Sequence, residues 1–241
     1  MTDQNRTYRH IAPPPGLSRF EVRVEETDLS ICARRPMAAA AKELILQSRG
    51  LIESYIKRFP EFVSTLLPWK IKGPAPEIIR AMAFAGQKTG VGPMAAVAGA
   101  VAEYVGRGLM GDSAEMIVEN GGDIFVSVSR PVTIGIWAGT SSISRQLGLR
   151  ITPGPLPVGV CTSSGTVGHS LSLGRADAVT IVSESCSLAD AAATAVANRI
   201  RYSEDIRPAV DWARGIAEVD GGVIIQGETI AAWGALDLIP L

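Results

Sequence analysis

Paired strands, rather than single ones, separate the helices of this 241-residue chain, and that order limits what it can fold into. Residues 19–34, RFEVRVEETDLSICAR, alternate apolar and polar about a polar centre, the signature of a hairpin. Pro36 then opens a helical pattern in which Leu44, Leu51, Ile52, Tyr55 and Phe59 recur on one face. Gly50 is expected to weaken or bend that helix. Pro60, Pro68 and Pro74 mark residues 60–74 as a connection with at most a short helix, before a second helix at about 75–85. GQKTGVG (86–92) reads as a glycine-rich loop leading into PMAAVAGAVAEYVGRGL, a helix with a stripe of Met94, Val97, Val101, Tyr104 and Val105.

The β signal returns at AEMIVENGGDIFVSVS, two strands about an NGGD turn, and continues through PVTIGIWAG, LGLRITPG and PVGVC. CTSSGTVGHS (161–170) has no periodicity and reads as a polar loop. DAVTIVSES is a buried strand, SLADAAATAVANRI a helix, residues 208–217 a shorter one, and GGVIIQGETIAAWG a closing hairpin. Hairpin connections predict an α+β fold with a mixed, mostly antiparallel sheet and argue against a doubly wound parallel one. No low-complexity linker divides the chain. It reads as a single domain over 1–241, with residues 1–17 as a loosely ordered arm.

Composition narrows the function. A net charge of −1 and 5% aromatic residues provide neither a phosphate-neutralising patch nor a base-stacking platform, so nucleic-acid binding is not expected. The N-terminus MTDQNRTYRHIAPPPG has no apolar signal core, and no later stretch is apolar for long enough to span a bilayer. A cytoplasmic protein without membrane attachment is the expectation. Cys32, Cys161 and Cys186 are odd in number and widely spaced; each is expected to be a small core residue.

SLADAAATAVAN (187–198) poses the chemical question. An alanine run needs neither Asp190 nor Thr194 to be helical. Four residues apart on a helix, the two share a face with Cβ atoms about 5–6 Å apart, so their oxygens can converge on a hard divalent cation. The competing reading is a capping box, Ser187 to Asp190, which leaves Thr194 unexplained. Three loops rich in Gly, Ser and Thr offer backbone N–H groups and hydroxyls to a phosphate. Their candidate contacts are Gly92 in the first, Asn120, Gly121, Gly122 and Asp123 in the second, and Thr162, Ser163, Ser164, Gly165 and Thr166 in the third. Fixed positive charge near these loops is limited to Lys88 and Arg175. A bound diphosphate therefore calls for a cation, Mg2+ or another divalent ion such as Ca2+. His169 lies in the third loop and is a candidate general base or ligand contact.

The series VGPMAAVAGAVAEYVGRGL, VENGGDIFV, VCTSSG and SLADAAATA resembles the ApbE family of flavin transferases, which move FMN from FAD onto a protein threonine or serine. The resemblance covers about residues 89–198, and the last motif is the most specific. The whole chain is similar to a shorter ApbE-related family of bacteria and archaea. The resemblance implies a T-fold-related architecture of two similar α/β halves. It implies Asp190 and Thr194 as metal ligands, with a backbone carbonyl of Ala95 or Ala96, and the diphosphate of FAD (or FMN itself) as the cofactor group. His169 and Asp190 become the catalytic candidates, and an acceptor protein the partner. Two family segments are missing: the lysine-containing A-K-G-Y-A-x-D, replaced here by MAAVAGAVAE, and H-x-x-D-P-x-T-G.

Three functions remain open: FMN transfer, flavin binding without chemistry, and sulfur assimilation (homocysteine formation) using Cys161. The small-residue helix (Ala95, Ala98, Gly99, Ala102) fits packing on the sheet or against a second subunit, so a homodimer stays among the expectations.

Overall fold

The computed structural model describes residue 9, residues 13–165 and residues 174–241. Its frame is an eight-stranded sheet in the order β1-β2-β3-β4-β7-β8-β9-β10. The strands are β1 (Ser18–Val24), β2 (Thr27–Ala33), β3 (Met116–Asn120), β4 (Asp123–Ser127), β7 (Val158–Ser163), β8 (Ala178–Ser183), β9 (Val219–Gln226) and β10 (Thr229–Gly234). Every pairing in this sheet is antiparallel, so the expected mixed sheet is an antiparallel one. A hairpin, helices and a second hairpin make the first half, β1 to β4, and the same plan recurs from β7 to β10. The halves join along β4 and β7, where Asp123 faces Cys161 and Val126 faces Val158.

The helices are α1 (Ala38–Arg58), α2 (Glu61–Ser64), α3 (Glu77–Thr89), α4 (Val97–Leu109), α5 (Cys186–Ala197) and α6 (Ile206–Ala213). They cover one face of the sheet. Alternation along the strands sends Leu29, Ile31, Met116, Val118, Phe125, Cys161, Val179, Ile181 and Ile224 into the core beneath them. Val126, Val160, Ala178, Val182, Val223 and Ile225 point the other way, into a second core. That second core is closed by a three-stranded antiparallel sheet of β5 (Val132–Gly135), β6 (Leu147–Ile151) and β11 (Asp237–Pro240), ordered β11-β6-β5. β8 is buried at all six positions because it is covered on both faces.

Several local expectations shift. α1 runs unbroken through Gly50, and its buried stripe is Ala41, Ile45, Ser48, Ile52 and Tyr55, rotated from the one read in sequence. The connection after it holds only the one-turn α2, fixed by a cluster in which Phe62 and Trp69 meet edge-on at 5.7 Å and the Trp69 indole N–H donates to the Tyr55 hydroxyl at 3.1 Å. Half of the supposed GQKTGVG loop is helix: α3 continues to Thr89 and Gly90 ends it in the left-handed region, φ 75°. At the N-terminal side Arg9, within the stretch expected to be loose, is held firmly. Its guanidinium donates from Nε and Nη2 to the two Glu119 carboxylate oxygens at 3.0 Å each, and from Nη1 to Asp28 at 2.9 Å. No helix among the described residues is long and apolar enough to cross a membrane.

Candidate functional site

Half of α5 is alanine, and of its residues Cys186–Ala197 only Asp190 and Thr194 are not fully buried. A helix that packs on the sheet, α3 and α4 at once should be apolar all round; these two positions are the ones its packing covers less completely. Ser185, not Ser187, is its N-cap, accepting from the Leu188 N–H at 3.3 Å. The capping box read from Ser187 to Asp190 therefore does not form. Asp190 turns instead to a different helix: its Oδ2 accepts from the Gly99 N–H, in the first turn of α4, at 2.9 Å. The Ala98 N–H also hydrogen-bonds this carboxylate.

The favour is returned. Glu103 of α4 accepts with Oε2 from the N–H groups of Cys186 (3.0 Å) and Ser187 (3.5 Å), the first two residues of α5. Each helix thus supplies the carboxylate that satisfies free donors at the other's N-terminus, where partial positive charge favours an anion. The close approach that allows this depends on Gly99, since a Cβ there would sit 2.4 Å from the Cys186 carbonyl oxygen and 2.9 Å from the Asp190 Cβ. The sequence marks Gly99 only as one of the small residues that permit close packing, without its partner, and the only clue to Glu103 is its i,i+4 spacing from Arg107.

Three other segments meet at this end of the helix pair. The 3-10 turn Pro93–Ala96, carrying Ala95 and Ala96, packs against α5 and breaks from helical geometry at Ala96 (φ −115°, ψ 4°). The β3–β4 hairpin brings Asn120, whose side-chain amide donates to the Ala98 carbonyl at 3.1 Å. Its two glycines have separate reasons. Gly121 takes φ 70°, which a side chain resists, and a Cβ on Gly122 would lie 2.6 Å from the Thr162 carbonyl oxygen. Asp123, which shares the helix-facing side with Phe125, is only 9% exposed. The third segment is the end of β7, with Ser163 on the helix-facing side, followed by Ser164 and Gly165.

Burial sets the electrostatics. It pushes the Asp190 carboxyl up to about 7, against the downward pull of the Gly99 and Ala98 N–H groups. Asp123 is also driven well above the usual carboxylate range, by burial first and then by the negative charge of Asp190; the Cys161 thiol pulls back and Glu119 adds to the rise. The Thr194 hydroxyl makes no hydrogen bond among the described residues, although threonines in helices commonly bond back to the preceding turn. Among the described residues no three His, Cys, Asp or Glu side chains are arranged to hold a metal ion. A cation here depends on hydroxyl and backbone oxygens as well as a carboxylate. That donor set, all oxygen, fits a hard ion such as Mg2+ or Ca2+.

Not every candidate lies at this place. Gly92 is packed under the connection, where a Cβ would fall 1.9 Å from the Thr65 carbonyl oxygen, so its surface is covered by the chain itself. Thr162 belongs to β7 rather than to a loop, and its hydroxyl meets that of Thr180 at 2.9 Å, on the sheet face opposite the helices. Lys88 pairs with Glu218 at 2.6 Å and lies over the Phe84 ring, so it is committed elsewhere. Thr166 and His169 lie outside the described residues. Cys161, like Cys32 and Cys186, is a buried free thiol. It donates to the Cys186 carbonyl at 3.4 Å, and burial raises its pKa well above that of an ordinary thiol. An inaccessible thiol held in its neutral form is no nucleophile, which removes the sulfur-assimilation reading built on it.

Comparison with known proteins places these observations in context. Residues 9–218 match the family model described as AbpE bacteria. A UPF0280 protein of Methanocella arvoryzae is 42% identical over 223 residues, covering 92% of this chain and 90% of that protein. A UPF0280 protein of Methanosarcina barkeri is 45% identical over 197 residues, covering 81% and 78%. Among solved structures, the flavin transferase ApbE from Vibrio cholerae aligns with a TM-score of 0.53 at 11% identity, covering 91% of this chain and 97% of that one. The apo Pseudomonas stutzeri flavinyl transferase ApbE aligns at 0.57 and 12%, covering 90% and 94%. At such low identity these two likenesses concern the fold.

Proposed function

Because this chain belongs to the AbpE family of bacteria, we propose that it binds a divalent cation and the diphosphate of FAD, and that it transfers FMN to a hydroxyl of an acceptor protein. The observation that carries this reading is the pattern of burial along α5: its only two incompletely buried residues are an acid and an alcohol one turn apart. They lie beside the first turn of α4 and near the β3–β4 hairpin tip.

Asp190 and Thr194 would hold the cation, with a carbonyl of Ala95 or Ala96. A carboxylate has about four acceptor sites, so the bond from Gly99 orients Asp190 without exhausting it. When bound, the cation supplies charge neutralisation for the diphosphate. The chain's own contribution is orientation. Asn120 ties the hairpin to α4 through Ala98, and Gly122 seats the hairpin tip against β7. Ser163 offers its hydroxyl on the adjoining strand end, beside Ser164 and Gly165, whose N–H is taken by the Ala176 carbonyl, and Gly121 and Asp123 edge the same space. A phosphate held by such groups needs little fixed positive charge from side chains, in keeping with the commitment of Lys88 to Glu218. The proposed partners are thus FAD or FMN, and a protein carrying the accepting hydroxyl.

Transfer forms a bond from the acceptor oxygen to the FMN phosphorus and breaks the bridge of the diphosphate, so AMP leaves. Purified protein given FAD, Mg2+ and an acceptor peptide is expected to release AMP, and Asp190→Ala to abolish that release. Equal release from Asp190→Ala would overturn the role given to this carboxylate. The absence of an H-x-x-D-P-x-T-G segment favours a second reading, a flavin-binding protein without transfer. Quenching of FAD fluorescence that depends on Asp190, with no AMP formed, would select it.

A further inference from the structure

The cation ligands sit on α5, yet what fixes α5 against the other half of the molecule is Glu103, the last residue of the MAAVAGAVAE stretch. Glu103 divides its two oxygens. Oε1 is held by Arg107, with Nε at 2.9 Å and Nη2 at 2.8 Å. Oε2 faces the first N–H groups of α5, at Cys186 and Ser187. Asp190 lies one turn further along the same helix and is tied back to Gly99, one turn before Glu103 on α4. Two carboxylates thus lock the antiparallel helices at two points. Between them Gly99 meets the Cys186 carbonyl, with no room for a side chain.

Sliding or rotating α5 to relax one contact would break the other. We propose that Glu103 is a positioning residue for the cation ligands. By gripping the start of α5 it sets the height and rotation at which Asp190 and Thr194 face the site. The proposal rests on the cation-binding reading above. It assigns to Glu103 no contact with the cation, only control of where its ligands stand.

Reach, more than charge, is what the role requires. Glu103→Asp keeps the charge but withdraws the oxygens by one methylene, whereas Glu103→Gln keeps an acceptor oxygen for α5 at the same distance and gives up the bonds from Arg107. Ser185→Ala serves as control, because it removes the cap that α5 makes for itself without touching the link to α4. Mn2+ binding to the full chain is measured by electron paramagnetic resonance of the free ion, alongside thermal unfolding without metal.

Glu103→Asp is expected to weaken Mn2+ binding roughly tenfold, in the range found when residues supporting metal ligands are altered. Glu103→Gln should bind nearly as the natural chain does. Ser185→Ala should lower the melting temperature and leave the affinity unchanged. Wild-type affinity in Glu103→Asp, or an equal loss in Ser185→Ala, overturns the positioning role while leaving the cation site standing. Should the natural chain show no saturable Mn2+ site, or one indifferent to Asp190→Asn, it is the cation reading itself that fails.

Discussion

Replacing Gly99 by alanine sets two known effects against each other at a site where the structure decides the outcome. In an unobstructed helix the change stabilises by about 1 kcal/mol, because glycine is the poorer helix former. Here the new methyl would stand 2.4 Å from the Cys186 carbonyl oxygen and 2.9 Å from the Asp190 Cβ. The nearer obstacle is backbone, which cannot swing aside as a side-chain tip can, so α4 and α5 must separate. Over-packing of this kind costs about 1–3 kcal/mol. Taking its upper part, because both helices must move, and subtracting the propensity gain, the expected net loss is about 1–2 kcal/mol. For a chain of this size that lowers the melting temperature by about 2–8 °C. Gly50→Ala is the matched control: it also lies inside a helix, but nothing lies within 4 Å of its added Cβ, so it should raise the melting temperature. Thermal unfolding followed by circular dichroism compares the two directly. If Gly99→Ala melts at or above the natural protein, the tight α4–α5 contact, and with it the seating of Asp190, is wrong.

Two further outcomes follow from the ionisation of the site and the burial of its thiol. Asp190 has its carboxyl raised from the ordinary 3.8 to about 7, so between those values the folded chain binds more protons than the unfolded one. Metal-free stability should therefore fall as pH rises from about 4 to 7; Asp190→Asn should reduce that slope, the remainder belonging to the raised Asp123, and an unchanged slope would contradict the assignment. Cys161 should resist alkylation at neutral pH until the protein is unfolded, and rapid labelling of the folded chain at that residue, read by mass spectrometry of its peptide, would contradict its burial.

Most of the fold was legible because strand and helix periods differ. The hairpins at 18–33, 116–127 and 219–234 stand out by alternation and turn residues, and α5 by its alanine run. The second sheet was not legible. β5, β6 and β11 are short, and nothing in their patterns says that they leave the main sheet to cover its far face. The α3 boundary was misread because the glycine-rich look of GQKTGVG outweighed the ability of Gly86 to stay helical under close packing: a Cβ there would meet the Val91 carbonyl oxygen at 2.6 Å. At the site, the i,i+4 spacing of Asp190 and Thr194 puts them on one face, and they are the two residues of α5 that are not fully buried. The destination of Asp190 was invisible, since its partner Gly99 is 91 residues away. For the same reason a strand position such as Thr162 could be placed in the right segment yet on the wrong side of the sheet: a one-residue step reverses the side-chain direction.

The seam between β4 and β7 has a consequence for how the molecule holds together. Ala98, Asn120 and Asp123 come from one half, Ser163, Asp190 and Thr194 from the other, so neither half alone contains the whole of the proposed site. Whatever fills it is a rivet through both plates. Its binding energy resists their separation and must be surrendered before the sheet can part along its midline.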